Sequence, residues 1–138
     1  MKFNKLIPEL YVSDLKKSLQ FYIGVLGFKL EYKRKKFAFV SYEGSQVMLG
    51  ESSKWKTAKL EYPFGRGINF QIEVSDVSSV LERLEKNNYP IKIKLKENWY
   101  RQNNNLLGAR EFLVLDPDGY LLRFSQDIGI KSIKGSKN

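Results

Sequence analysis

The stretch LYVSDLKKSLQFY, residues 10–22, decides the fold, because its pattern returns 62 residues later as IEVSDVSSVLERL, residues 72–84. Both copies read apolar–x–Val–Ser–Asp–apolar and then change to a spacing of three and four. Ser-Asp at such a junction starts helices, because a short oxygen-bearing side chain can accept a free first-turn N–H. Leu15, Leu19 and Tyr22 in the first copy, and Val77, Leu81 and Leu84 in the second, then share one helical face. Each copy is a short strand entering an amphipathic helix.

The correspondence continues past the helices. FAFVSYEGSQVML, residues 37–49, reads as a hairpin turning at Glu43-Gly44. REFLVLDPDGYLLRF, residues 110–124, reads as a hairpin turning at Asp118-Gly119. Gly44 and Gly119 are 75 residues apart, so the second copy holds 13 extra residues between helix and hairpin. They are assigned to KENWYRQNNNLLG, residues 96–108, whose polar, Asn-rich composition reads as a loop. YPFGRG, residues 62–67, supplies the turn chemistry joining the copies. The expected fold class is α+β, with two tandem β-α-β-β-β modules. Module one covers about residues 4–60 and module two about 66–127, in a single domain over 1–127. Residues 128–138 read as a basic C-terminal tail.

Composition excludes much chemistry. The chain has no cysteine and no histidine, which removes disulfides, thiolate sites, the common general base and the usual zinc or iron ligand. No apolar run is long enough for a membrane helix, and residues 1–10 lack the apolar core of a signal peptide; a cytoplasmic, membrane-free protein is expected. The net charge of +9 collects in Lys33 to Lys36, Lys92 to Lys96 and the tail. It reads foremost as surface solvation and as edge-strand protection. A nucleic-acid partner is disfavoured, since charge alone supports it and there is no RNP-like, zinc-finger or basic-helix signature.

The paired modules, with DLKKSLQFYIGVLGFKL (14–30) in one and DPDGYLLRF (116–124) in the other, resemble the vicinal oxygen chelate superfamily. That group comprises glyoxalases, extradiol dioxygenases and bleomycin-resistance proteins. The resemblance implies a curled mixed sheet around a ligand cleft, with helices outside. Strand parity then assigns faces. Leu6, Leu10, Val12, Phe70, Ile72, Val74, Phe112, Val114, Leu122 and Phe124 take the helix side. Ile7, Glu9, Tyr11, Gln46, Met48, Asn69, Gln71, Glu73, Glu111, Leu121, Arg123 and Ser125 take the cleft side. Ile7, Met48, Asn69 and Arg123 match the metal-ligand positions of the glyoxalase-like enzymes. An alkyl group, a thioether, an amide and a guanidinium are no ligand set for a divalent cation, so neither metal nor another cofactor is expected.

Within the superfamily, GAREFLVLDPDGYLLRFSQ (108–126) is most similar to the bleomycin-resistance proteins, which the resemblance implies are non-catalytic dimers that sequester the drug in clefts between subunits. The expected ligand-binding residues are Glu9, Phe39, Met48, Trp55, Asn69, Gln71, Trp99, Tyr100, Arg101, Glu111 and Arg123. Carboxylates in a basic chain suit a cationic ligand, and exposed rings suit a flat one. Trp99 and Arg101 are expected on a flap that closes over it. The leading expectation is therefore a metal-independent homodimer holding a bleomycin-like or related planar polar molecule. An isomerase or lyase working through Glu9, Glu73 or Glu111 remains the alternative, with a nucleic-acid-associated protein third.

Overall fold

A computed structural model describes residues 2–133. Module one comprises β1 (Glu9–Tyr11), α1 (Leu15–Leu19), β2 (Lys29–Arg34), β3 (Phe37–Tyr42) and β4 (Ser45–Gly50). Module two comprises β5 (Asn69–Glu73), α2 (Val77–Lys86), β6 (Ile93–Gln102), β7 (Asn105–Leu115) and β8 (Leu121–Ser132). The fold is α+β with two tandem β-α-β-β-β modules. Each forms a four-stranded mixed sheet, ordered β1-β4-β3-β2 and β5-β8-β7-β6. The first strand of each module pairs in parallel with its last, and the remaining pairings are antiparallel.

Local chemistry explains the starts and turns. Asp14 caps α1 by accepting from the Lys17 N–H, and Asp76 caps α2 by accepting from the Ser78 N–H. After α1 the chain widens into a π-helical turn, Gln20–Val25. Glu43 and Gly44 both take positive φ (46° and 92°), the geometry of a tight hairpin between β3 and β4.

The helix-side residues of both sheets meet in one core. Leu10, Val12, Ala38, Val40 and Leu49 from module one join Ile72, Val74, Phe112, Val114, Leu122 and Phe124 from module two, with Leu15, Tyr22, Val77 and Leu84. The two helical regions touch directly: Phe21 lies 4.7 Å from Tyr89, ring to ring, and Arg83 on α2 donates to the Leu26 carbonyl and the Tyr42 hydroxyl. Because side chains alternate across a strand, the opposite faces of both sheets look away from this shared core.

The modules grip each other reciprocally. Ser13, after β1, donates its N–H and hydroxyl to Asp118 in the β7–β8 turn (3.1 and 2.5 Å). Ser75, after β5, donates its N–H and hydroxyl to Glu43 in the β3–β4 turn (2.7 Å each). These are equivalent positions of the repeat. Deeper in, the carboxylate of Asp116 accepts from Tyr22 of module one (2.7 Å) and from the N–H groups of Asp118 and Tyr120.

Three expectations change. Leu6 is 86% exposed, not under the helix, because β1 begins only at Glu9 and strand parity does not reach residue 6. The polar 96–108 segment is no loop: β6 runs through Gln102, Asn103 turns with φ 55°, and β7 resumes at Asn105. β8 continues through Ser132, so residues 128–132 are strand, while 134–138 lie outside the described residues.

Candidate functional site

Module two carries the better-formed concavity. Its cleft-side face holds a cavity of about 320 Å³ lined by Gln71 and Glu73 of β5, Tyr100 of β6, Ala109 and Glu111 of β7, and Ser125 and Asp127 of β8, with Leu107 and Ile130 at its apolar end. Register explains the grouping. Gln71 lies beside Arg123, Glu73 beside Ser125, and Ser125 beside Glu111 on adjacent strands. Such neighbours on one face are the closest side-chain contacts a sheet makes.

Glu111 is the centre of this face. It is 5% exposed, yet it forms no ion pair within 4.0 Å among the described residues. Its Oε1 accepts from the Asn98 amide (3.0 Å) and from the Tyr100 hydroxyl, both on β6. That bond to the carboxylate is the main reason the Tyr100 phenol is raised above its usual pKa. These two neutral donors fix the direction of the carboxylate. Glu73 and Asp127 stand exposed on the same cavity wall. Arg123 donates to Gln71 Oε1 (2.5 Å), and its buried Nε has no hydrogen-bond partner among the described residues.

The equivalent face of module one is aromatic and covered. Phe39 is fully buried, stacked by Tyr32 at 5.5 Å and met by the tilted ring of Phe3 at 5.2 Å. Residues 2–4 lie across this face: the Asn4 N–H donates to Gln46 Oε1, the Asn4 amide to the Gly44 carbonyl, and Gln46 Nε2 to the Lys2 carbonyl. Glu9 and Phe39 flank Met48 in the ladder.

The expected residues therefore divide. Gln71, Tyr100 and Glu111 come together at the module-two cavity, with Arg123 attached through Gln71 and Asn69 at the exposed start of β5. Glu9, Phe39 and Met48 come together on the module-one face. Trp55 joins neither; it is 66% exposed on a 3-10 turn, Ser53–Trp55. Arg101 sits near the β6–β7 hairpin tip, with Nε on the Asn103 carbonyl. Trp99 lies in strand β6, not on a loop: its ring lies against Gly108 of β7, its indole N–H donates to Glu97, and Lys131 sits 4.0 Å above it. Asn98 and Asp127 were missed. Continuing the β8 parity two residues beyond Ser125 reaches Asp127.

The residues at the metal-equivalent positions do not fit a divalent cation. Met48 belongs to the outward face of module one and Asn69 and Arg123 to that of module two, Ile7 precedes β1, and none of the four is a carboxylate or imidazole. Among the described residues, no group of three or more His, Cys, Asp or Glu is placed to hold a metal. No helix among them is long and apolar enough to cross a membrane.

Comparison with known proteins agrees with this architecture. A bleomycin resistance protein from Geobacillus stearothermophilus is 29% identical over 137 residues, covering 88% of this chain and 96% of its own. A lactoylglutathione lyase from Neisseria meningitidis serogroup A is 31% identical over 125 residues, covering 85% and 86%. TioX from Micromonospora sp. ML1 shares the fold with a TM-score of 0.69 at 21% identity, over 89% of this chain and 95% of that one. The sequence profile of the glyoxalase/bleomycin resistance protein/dioxygenase superfamily matches residues 4–124. The chain is a member of that superfamily.

Proposed function

We propose that this protein binds a small cationic molecule of the bleomycin type without transforming it, acting as a cytoplasmic homodimer. The observation that carries the reading is the oriented, buried carboxylate of Glu111 in a cavity it shares with Glu73 and Asp127. Charge-assisted hydrogen bonds from an amine or amidinium would be the strong contacts there. The 29%-identical bleomycin resistance relatives support the ligand class. The net charge of +9 opposes long-range approach of a cation, so affinity must come from close contact.

Calorimetry with metal-free bleomycin tests this. We expect one molecule per chain, and a loss of roughly 10- to 100-fold on Glu111→Gln, the scale of one hydrogen bond to a charged group. No binding heat, or an unchanged affinity in the variant, would remove the proposal. The 31%-identical lactoylglutathione lyase supplies the competing arm. Isomerisation of the methylglyoxal–glutathione adduct by the purified protein would replace binding with catalysis.

The outward-facing sheets support the homodimer reading. The helix-side residues of both sheets are used up in one core, which leaves the opposite face of the module-two sheet, with its cavity, for a second chain to cover. A two-fold pair would join unlike faces twice and give two equivalent clefts. Light scattering at micromolar concentration is expected to report a dimer; a monomer would count against closure by a partner.

A further inference from the structure

The repeat supplies an internal control for the basic surface. Beside α1, a groove of about 610 Å³ runs between the helix and the β2–β3 hairpin, with Leu15 and Leu19 as its floor. Lys16, Lys33, Arg34, Lys35 and Lys36 line it, and all five are exposed. The one ion pair within 4.0 Å among the described residues is Lys29–Glu31, so none of the five is matched by a carboxylate. The neighbouring acids are already engaged: Asp14 accepts the Lys17 N–H and Glu51 the Leu15 N–H. Arg34 is held in place, its guanidinium 3.9 Å above the Phe37 ring.

Module two has the same helix and hairpin with fewer cations: Arg101 stands where module one has Lys33, Gln102 where it has Arg34, and Arg110 reaches the Ser78 hydroxyl. Ser78 and Ser79 stand where module one has Lys16 and Lys17, and its hairpin turns through Asn103 and Asn104 instead of Lys35 and Lys36. The fold therefore does not require a cation at positions 16, 34, 35 or 36. The turn residue sharpens the point. Lys36 sits at φ 63°, a left-handed conformation in which Asn is tolerated and other side chains are disfavoured. Module two puts the left-handed residue one place earlier in its two-residue turn and fills it with Asn103, at φ 55°. Module one keeps a lysine against its backbone preference.

From this groove we infer that the protein has a second binding surface, for the phosphate backbone of a single-stranded nucleic acid. The polar side chains lining it are hydrogen-bond donors only. A phosphodiester backbone carries acceptors only, whereas a peptide strand would bring N–H groups that find no acceptor side chain here. A groove between a helix and a hairpin tip admits one strand, and its leucine floor can meet a base. The sequence alone reads these lysines as solvation; their convergence on one side of one module is what changes the reading.

The test is fluorescence anisotropy of a labelled oligothymidylate with the full chain across a salt series. Binding should weaken as salt rises, with a slope of about 0.7 per neutralised phosphate. The variant K33Q/K35Q/K36N should lose affinity roughly tenfold and lower the slope by about 2. Asparagine at 36 suits the turn, so a melting curve should show a fold at least as stable. The charge-matched control K92Q/K94Q/K96Q, on the edge of module two, should change neither quantity comparably. Equal losses in both variants would assign the effect to net charge and overturn the groove. So would undiminished binding in the first variant, or capture by polyglutamate or anionic vesicles that the oligonucleotide fails to displace.

Discussion

Asp116→Ala will destabilise the protein by about 3–5 kcal/mol, because it leaves three donors without their acceptor at roughly 1–3 kcal/mol each, less than additively. The donors are the Tyr22 hydroxyl and the N–H groups of Asp118 and Tyr120, and Tyr22 and Asp116 are almost fully buried. The loss also removes a contact between modules, since Tyr22 belongs to the first and Asp116 to the second. Urea unfolding at neutral pH measures it; a change below about 1 kcal/mol would show that water replaces the carboxylate. The charge has its own signature. Burial raises the Asp116 carboxyl from 3.8 to about 6, the three hydrogen bonds offsetting only part of that. A folded-state pKa above the unfolded one means the folded chain holds this proton more tightly. The contribution is fully present below about pH 4 and is lost as pH rises through about 6. Relative to Asp116→Asn, which has no proton to exchange, the native chain should gain up to about 3 kcal/mol between pH 7 and 4. A flat difference curve would contradict the burial argument.

Gly108→Val is expected to cost about 1–3 kcal/mol or more, as overpacking does. A Cβ at Gly108 would stand 2.5 and 2.6 Å from ring carbons of Trp99 and 2.8 Å from Ile128 Cγ1. The indole would have to leave its seat, taking with it the cross-strand contact that holds β6 on β7. Tyr100 and Asn98, which orient Glu111, flank Trp99 on that strand. Ligand affinity should fall along with the melting temperature. If affinity falls while the melting temperature stays, Trp99 is acting on the ligand directly and the packing account is wrong.

What could be read in advance was whatever local chemistry repeats. Asp14 and Asp76 start helices through their own side chains, and Gly44 and Gly119 turn hairpins through their own backbones. Gln71, Glu111 and Arg123 were legible because alternation holds wherever a strand is continuous. The misreadings fall where a distant partner decides. The segment containing Trp99 is polar enough to pass for a loop until Gly108 is seen opposite it. Phe39 has the parity of a ligand contact, but residues 2–4 leave the strand path and cover it with Phe3. Asp127 escaped because the last strand was read only as far as residue 126, whereas β8 runs on to Ser132.

The outward turn of the two concave faces has a consequence measured in numbers of molecules. If each cleft needs two chains, ligand binds only to the assembled species, and ligand and protein concentrations become linked variables. At dilutions where the pair separates, apparent affinity should decay with protein concentration although every contact residue is intact. Added ligand should then pull chains back together. Protection by such a protein would rise more steeply than its abundance while the pair is scarce, making expression level a threshold.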